Sequence, residues 1–416
     1  MSTNTYVAPA NTLKDAKNII LGLQHLIAMF GATVLVPILT GFNPSVALFT
    51  AGCGTLIFHF CTNRQVPVFL GSSFAFIPLI IQIKDLYQGD LAYAQGGIIV
   101  AGFIYVLMSF VVKTVGVDTI KGFLPPHVVG PMIIVIGLNL VPTAFGMAQA
   151  NLILAAITLA TALSINFLGK GFIKQLSILI GVVVGYSVSL ALHAVDFTTI
   201  QQASILSVPG FTLPKFSIEA ILIMAPVVLA VFMEHVGDIT TNGTVVGKNF
   251  IENPGLHRTL LGDGLATMFA GFLGGPANTT YGENTGVLAI TKNYNPAILR
   301  IAAVFAIILS LVGKLGGVLG SIPPAVMGGI SLMLFSMISL IGVKTIKEQN
   351  VKFNLKNTLI MVMILVVGLA PSYVPSMALS ISIPNTSVAL SGLSLAALLG
   401  VIVNAIWTKV EGISKA

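Results

Sequence analysis

Three carboxylates stand where a chain this apolar has least use for them. The stretch "VFMEHVGDIT" sets Glu234 and Asp238 four residues apart, and "TTYGENTGVLAIT" sets Glu283 beside a tyrosine and a glycine. On a helix, Glu234 and Asp238 share one face. Two carboxylates so close in a low dielectric cannot both ionise comfortably, which suits a group that takes up and releases a proton. A carboxylate near a membrane centre costs about 2.5–3.5 kcal/mol, so each of the three is a functional candidate. His235 points about 100° away from Glu234 and suits packing or gating. His25, in "LGLQHLIAMFG", is either a satisfied core residue or the partner of a carboxylate. Asp263 and Glu219 fall near segment ends and need no special role.

The elements that must hold these groups are membrane helices. Of 416 residues, 56% are hydrophobic and 8% charged, against roughly 25% charged in a soluble domain. Mean hydropathy is +0.99. Aliphatic runs of about 17–25 residues fit spanning helices and lack the alternating pattern of a β-barrel. The expected fold is therefore all-α and polytopic, with fourteen segments. They run Asn18–Pro37, Pro44–Cys61, Val66–Ile83, Ala92–Val112, Leu124–Ala144, Ala150–Leu168 and Phe172–Leu192, then Ile218–Gly237, Thr259–Gly275, Ala277–Thr291, Ala297–Val312, Ile322–Ile341, Leu359–Val374 and Val388–Trp407. With the N-terminus inside, 17 of the 20 lysines and arginines, Lys14 and Lys121 among them, fall on one side. Only Lys84, Lys215 and Lys314 fall on the other, which puts both termini in the cytoplasm. This topology accounts for the net charge of +7, so nucleic acid is not an expected partner. The polar start "MSTNTYVAPANTLKDAKN" does not suggest a cleavable signal peptide, and Cys53 and Cys61 read as buried hydrophobes.

The two halves resemble each other. "LPPHVVGPM" and "IPPAVMGGI" share Pro-Pro-x-Val-x-Gly at an offset of 198, and Pro67/Pro276, Phe74/Glu283 and His25/Glu234 share an offset of 209. Seven segments per half force opposite orientations, so residues 1–213 and 214–416 read as inverted repeats. In "VPVFLGSSFAFIP" and "GGPANTTYGENTGVLAIT" a proline opens a short extended stretch, a glycine follows, and a half-helix begins. Extended backbone at membrane depth is tolerated only inside protein or beside a cavity. A helix start there offers unpaired N–H groups and a positive dipole end. A flat heterocycle would fit: its N–H groups donate to Glu234 and Glu283, its carbonyls accept at Phe74 and Gly282, and its ring stacks on Phe74 or Tyr281. "EHVGD" lacks a zinc-helix histidine pair, no P-loop is present, and no nucleophile–base pair suggests an enzyme, so no metal or other cofactor is expected.

At these residues the chain resembles the nucleobase–ascorbate transporters, in their bacterial uracil permease branch. "ENTGVLAITK", Glu283 to Lys292, meets every position of the family motif, and "QHLIAMFGATVLVP", "FLGSSFAFI", "EHVGD" and "NTTYGEN" are similar to the uracil permease versions. The resemblance implies a core domain near residues 17–115 and 216–318 and a gate domain near 118–195 and 320–410. It implies uracil binding by Glu234, Glu283, Phe74, Tyr281 and the backbone at Ser73 and Gly282, with His25 steadying Glu234. Asp238 stands where some uracil permeases carry a histidine tied to proton coupling, and Phe335, a further substrate-binding residue on the gate side, stands where a tyrosine can occur, so that a hydroxyl is lost and specificity loosened. Proton-coupled uracil symport at a cell inner membrane is implied first. Sodium coupling, xanthine or uric acid transport, and an anion exchanger or channel of similar fold are the alternatives. A homodimer through the gate domain and membrane lipid are the implied partners.

Overall fold

The computed structural model describes residues 16–116, 125–382 and 389–415. Residues 1–15 with Lys14, residues 117–124 with Lys121 and Leu124, and Val388 lie outside the described residues. In order come α1 (Ala16–Thr40), α2 (Pro44–Cys61), β1 (Leu70–Ser72), a 3-10 turn at Phe74–Phe76, α3 (Ile77–Leu86) and α4 (Ala92–Val115). Then follow α5 (Pro126–Ala148), α6 (Leu152–Leu168), α7 (Ser177–Ala191), α8 (Ile218–Met224), α9 (Val227–Val246) and α10 (Leu256–Leu273). The chain continues with β2 (Asn278–Thr280), α11 (Gly282–Thr291), α12 (Pro296–Ser310), α13 (Gly313–Gly320), α14 (Pro324–Glu348) and α15 (Leu355–Tyr373). It closes with β3 (Ser380–Ser382), β4 (Ala389–Ser391) and α16 (Gly392–Lys415). Among the described residues, eight helices are long and apolar enough to cross a membrane, with α8 and α9 taken as one.

Asparagine side chains start several of these helices. Asn43 accepts from Ser45 N–H at 2.8 Å, Asn151 from Leu154 N–H at 3.1 Å and Asn354 from Asn357 N–H at 2.8 Å. Each satisfies backbone donors that a helix start leaves open. The eighth expected segment was to end at Gly237, but α9 continues to Val246, where Gly247 takes φ +77°. The polar run "TTNGT" is accommodated in the helix with its threonines bonded to the preceding turn: Thr240 donates to Val236 O at 2.7 Å and Thr244 to Thr240 O at 2.9 Å. The expected seventh segment is likewise interrupted, into a short turn at Phe172–Gln175 and α7.

α10 packs on α4 and α2, and α12 on α2 and α1. Separately, α5 packs on α14 and α15, α6 on α7 and α14, and α15 on α16. α4 and α10 cross so closely that a Cβ on Gly264 would come within 2.8 Å of Gly102 O. The segment before α8 runs over the ends of several helices. Ser207 N–H donates to Leu311 O at 2.9 Å, Thr212 N–H to Leu273 O at 3.3 Å and Lys215 N–H to Ala92 O at 2.9 Å. There the Lys215 ammonium lies 2.7 Å from Asp90. That hydrogen bond, with one from Ala92 N–H, holds the Asp90 carboxyl below the usual carboxylate range. Beside it Tyr87 and Tyr93 stack at 3.9 Å, and Tyr87 Oη donates to Ser217 Oγ at 2.8 Å.

Candidate functional site

The two expected extended stretches form strands and pair with each other. β1 runs antiparallel to β2, with Leu70 opposite Thr280, Gly71 opposite Thr279 and Ser72 opposite Asn278. Ser73 N–H donates to Ala277 O at 2.8 Å and Tyr281 N–H to Phe69 O at 3.1 Å, lengthening the ladder at both ends. Side chains serve other groups: Thr55 Oγ1 accepts from Leu70 N–H at 2.9 Å, Thr267 donates to Asn278 O at 2.9 Å and Asn278 to Thr50 O at 3.1 Å. All six strand residues are buried, and such backbone persists at depth because it is paired.

Each strand runs straight into a half-helix, and neither start is capped by a side chain. Ser73 precedes the turn at Phe74, and Tyr281 precedes α11, both with extended backbone and no side-chain cap. Like several other helix starts here, and unlike the asparagine-capped ones, these two leave N–H groups for another acceptor. Gly282 is exposed, and a Cβ built on it meets nothing within 4 Å. Glu283 is half-buried in the first turn of α11, where the helix dipole favours a negative group.

α9 brings Glu234 and Asp238 to a cavity of about 680 Å³, together with Phe74 at the start of the other half-helix. α9 and the α3 start form one wall, and α5 and α14 form the other through Ile133, Ile136, Ile338 and Ile341. Lys344 and Glu348 line it further along α14 and lie 3.6 Å apart. Thr280 of β2 donates to Asp238 Oδ2 at 3.0 Å, linking the second strand to α9.

Other candidates stand elsewhere. His25 is buried and meets Asn284, not Glu234: Asn284 Nδ2 lies 3.1 Å from His25 Nδ1 and donates to His25 O at 3.0 Å. The α1 turn therefore steadies α11 just after Glu283. The Tyr281 ring lies against Gly71, and its hydroxyl donates to Ser72 O at 2.8 Å, so the ring braces the strand pair away from the cavity wall. Phe335 is fully buried among Met327, Ile330 and Leu140, because the α14 face turned to the cavity is that of Ile338 and Ile341. Ser73 is buried with its Oγ unpartnered. His235 bonds Asp263 Oδ2 at 2.8 Å through Nδ1 and Thr259 Oγ1 at 2.9 Å through Nε2, bolting α9 to α10. Sequence reasoning missed Asn242. Its buried amide donates to Pro67 O at 3.1 Å and to Thr285 Oγ1 at 3.1 Å, tying α9 to the approach to β1 and to α11 at once. The spacing Glu234-x3-Asp238-x3-Asn242 was the available signal.

Comparison with known proteins finds permeases. A family model described as "Permease family" matches residues 16–377. A probable uracil permease of Pasteurella multocida is 42% identical over 406 residues, covering 95% of each chain. A uracil permease of Bacillus caldolyticus is 42% identical over 404 residues, covering 93% of this chain and 91% of its own. A uracil permease of Escherichia coli is 41% identical over 363 residues, 84% of each. Among solved structures, SLC26A9 superposes with a TM-score of 0.69 at 12% identity; the match covers 94% of this chain and 64% of that one. The transmembrane domain of the cyanobacterial bicarbonate transporter BicA gives 0.59 at 16% identity, covering 94% and 97%. At such identities the likeness speaks for the fold alone.

Proposed function

The chain belongs to this permease family, and on that premise we propose that it is a proton-coupled uracil symporter working by alternating access. Uracil is a flat ring with adjacent N–H and C=O groups. Its N–H groups donate to Glu234 and Glu283, and its carbonyls accept from N–H groups at Phe74 and Gly282. Phe74 takes the ring face. The observation that carries this reading is the convergence of Glu234, Asp238 and the half-helix start at Phe74 on one cavity. Gly282 and Glu283 do not line it, but their half-helix start is tied to it through the Thr280–Asp238 bond. Relatives called uracil permeases, alike over most of the chain, favour uracil over xanthine or uric acid. The half-buried carboxylates Glu234, Asp238 and Glu283 argue against an anion as cargo, although the solved neighbours include an anion transporter.

In this reading the eight long helices, three shorter apolar ones, α10 and the two strand-to-half-helix segments make the fourteen crossings. The antiparallel meeting of β1 with β2 is what two inverted repeats would produce at their axis. The cavity lies between α9 and α3 of a core domain and α5 and α14 of a gate domain. Between α1, α7 and the start of α14 only about 20 Å³ is open, at Gly31, Val34, Leu179 and Met327. That asymmetry is compatible with access from one side at a time. Protonation near Glu234 and Asp238 lowers the charge of the cavity and favours uracil, and the emptied, deprotonated carrier returns. The cytoplasmic placing of both termini, from the lysine and arginine asymmetry, and a gate-to-gate homodimer belong to the same proposal.

The test is radiolabelled uracil uptake into proteoliposomes at acidic and neutral outside pH, with and without a protonophore, beside Glu283→Gln. Uptake raised by acid, collapsed by protonophore, blocked by cold uracil and lost in the variant is expected. Competition by purines alone would sink uracil as substrate. Uptake indifferent to the proton gradient but driven by sodium would sink proton coupling.

A further inference from the structure

α14 and α15 are consecutive in the chain, yet each packs on α5 and the two splay apart. Between them lies a second cavity of about 650 Å³. Its floor is Pro131 of α5, and its walls include Ile346, Met361 and Leu365. At one end stand Lys347 and Lys352, both exposed. No carboxylate lines this wedge, and neither lysine makes an ion pair among the described residues. Glu348, beside Lys347 in the chain, faces Lys344 instead. The result is an apolar slot with a cationic mouth, at the lysine-rich end of the helices.

We propose that this wedge holds one anionic phospholipid, its acyl chain between α14 and α15 and its phosphate on Lys347 and Lys352. Charge complementarity selects the occupant. Basic pockets between membrane helices on the cytoplasmic side attract anionic head groups. A second copy docking isologously through the wedge would set the lysine pair against itself, which like-charge repulsion opposes. The lipid would also bear on transport. The opposite face of α14 supplies Ile338, Ile341 and Lys344 to the first cavity, so an acyl chain in the wedge backs the wall that closes on substrate.

The test uses the purified full-length chain in detergent. Retained lipids are counted by native mass spectrometry during titration with phosphatidylglycerol and with phosphatidylcholine of the same acyl chains. Two lysines at a leaflet surface give an expected preference for phosphatidylglycerol of about thirty-fold. K347Q/K352Q should abolish most of that preference, and Leu365→Trp, which fills the slot, should weaken both lipids. A melting curve shows that each variant is folded. Equal retention of the two lipids, or a lysine variant that keeps its preference, overturns the proposal. So does Leu365→Trp if it breaks a dimer while lipid retention stays unchanged. The count needs no uracil, so its failure is distinct from failure of the transport reading.

Discussion

Asn242→Leu isolates what holds the two half-helices in register with α9. The side chain is fully buried, and leucine has the same branching and number of heavy atoms with bulkier ends, so the exchange removes hydrogen bonds without opening a cavity. The Thr285 hydroxyl, which accepts from Asn242, loses that donor but keeps an O–H of its own to donate. The Pro67 carbonyl has no such alternative, and it loses its donor, 3.1 Å away. A buried group stranded in this way costs about 1–3 kcal/mol. If that strain is released by drift of the elements carrying Phe74, Glu234 and Glu283, the same energy appears in ligand binding as a loss of about 5- to 150-fold. The assay is equilibrium uracil binding to purified protein, alongside its melting temperature. Thr285→Ala is the control, because it leaves the Pro67 bond intact and is expected to cost much less. Affinity and melting both unchanged in Asn242→Leu would refute the claim that this amide sets the geometry of the site.

Gly282→Ala should fold and melt like the parent, since its Cβ meets nothing within 4 Å; blocking approach to the adjacent N–H should cost about tenfold in uracil affinity. Tyr281→Phe should do the reverse, lowering the melting temperature through loss of the 2.8 Å bond to Ser72 O, worth about 1 kcal/mol, while uptake persists. The Asp90–Lys215 tie should be pH-dependent. Asp90 is held below the usual carboxylate range, so the tie is present above that range and lost as pH falls through the lowered value. Limited proteolysis should cut the 87–91 loop faster in Asp90→Asn than in the parent at neutral pH, and the difference should vanish in acid.

The parts of the site most legible in the sequence were those written locally. Proline, then extended residues, then glycine, announced both β1 and β2 before their half-helices. The four-residue spacing of Glu234 and Asp238 announced a shared face, and both line the cavity. Partners distant in sequence were not legible. His25 was matched to Glu234 through the repeat offset, but the histidine reaches Asn284, a contact set by how α1 packs on α11. Phe335 illustrates a different loss. α14 is apolar nearly all round, so no polar stripe marks which face turns to the cavity. Asn242 was hidden by composition, because a run of threonine, asparagine and glycine reads as loop until its hydroxyls are seen bonded to the helix beneath.

The β1–β2 ladder has a consequence for biosynthesis. Leu70 waits for Thr280, 210 residues downstream. At 5–20 residues per second that wait is about 10–40 s, during which the first broken segment has no partner for its backbone. Bare N–H and C=O groups are expensive in lipid, so the nascent first half must keep this stretch at the interface or shelter it with an insertase. The binding site therefore cannot exist before the second strand arrives, and its other wall, α14, is made later still.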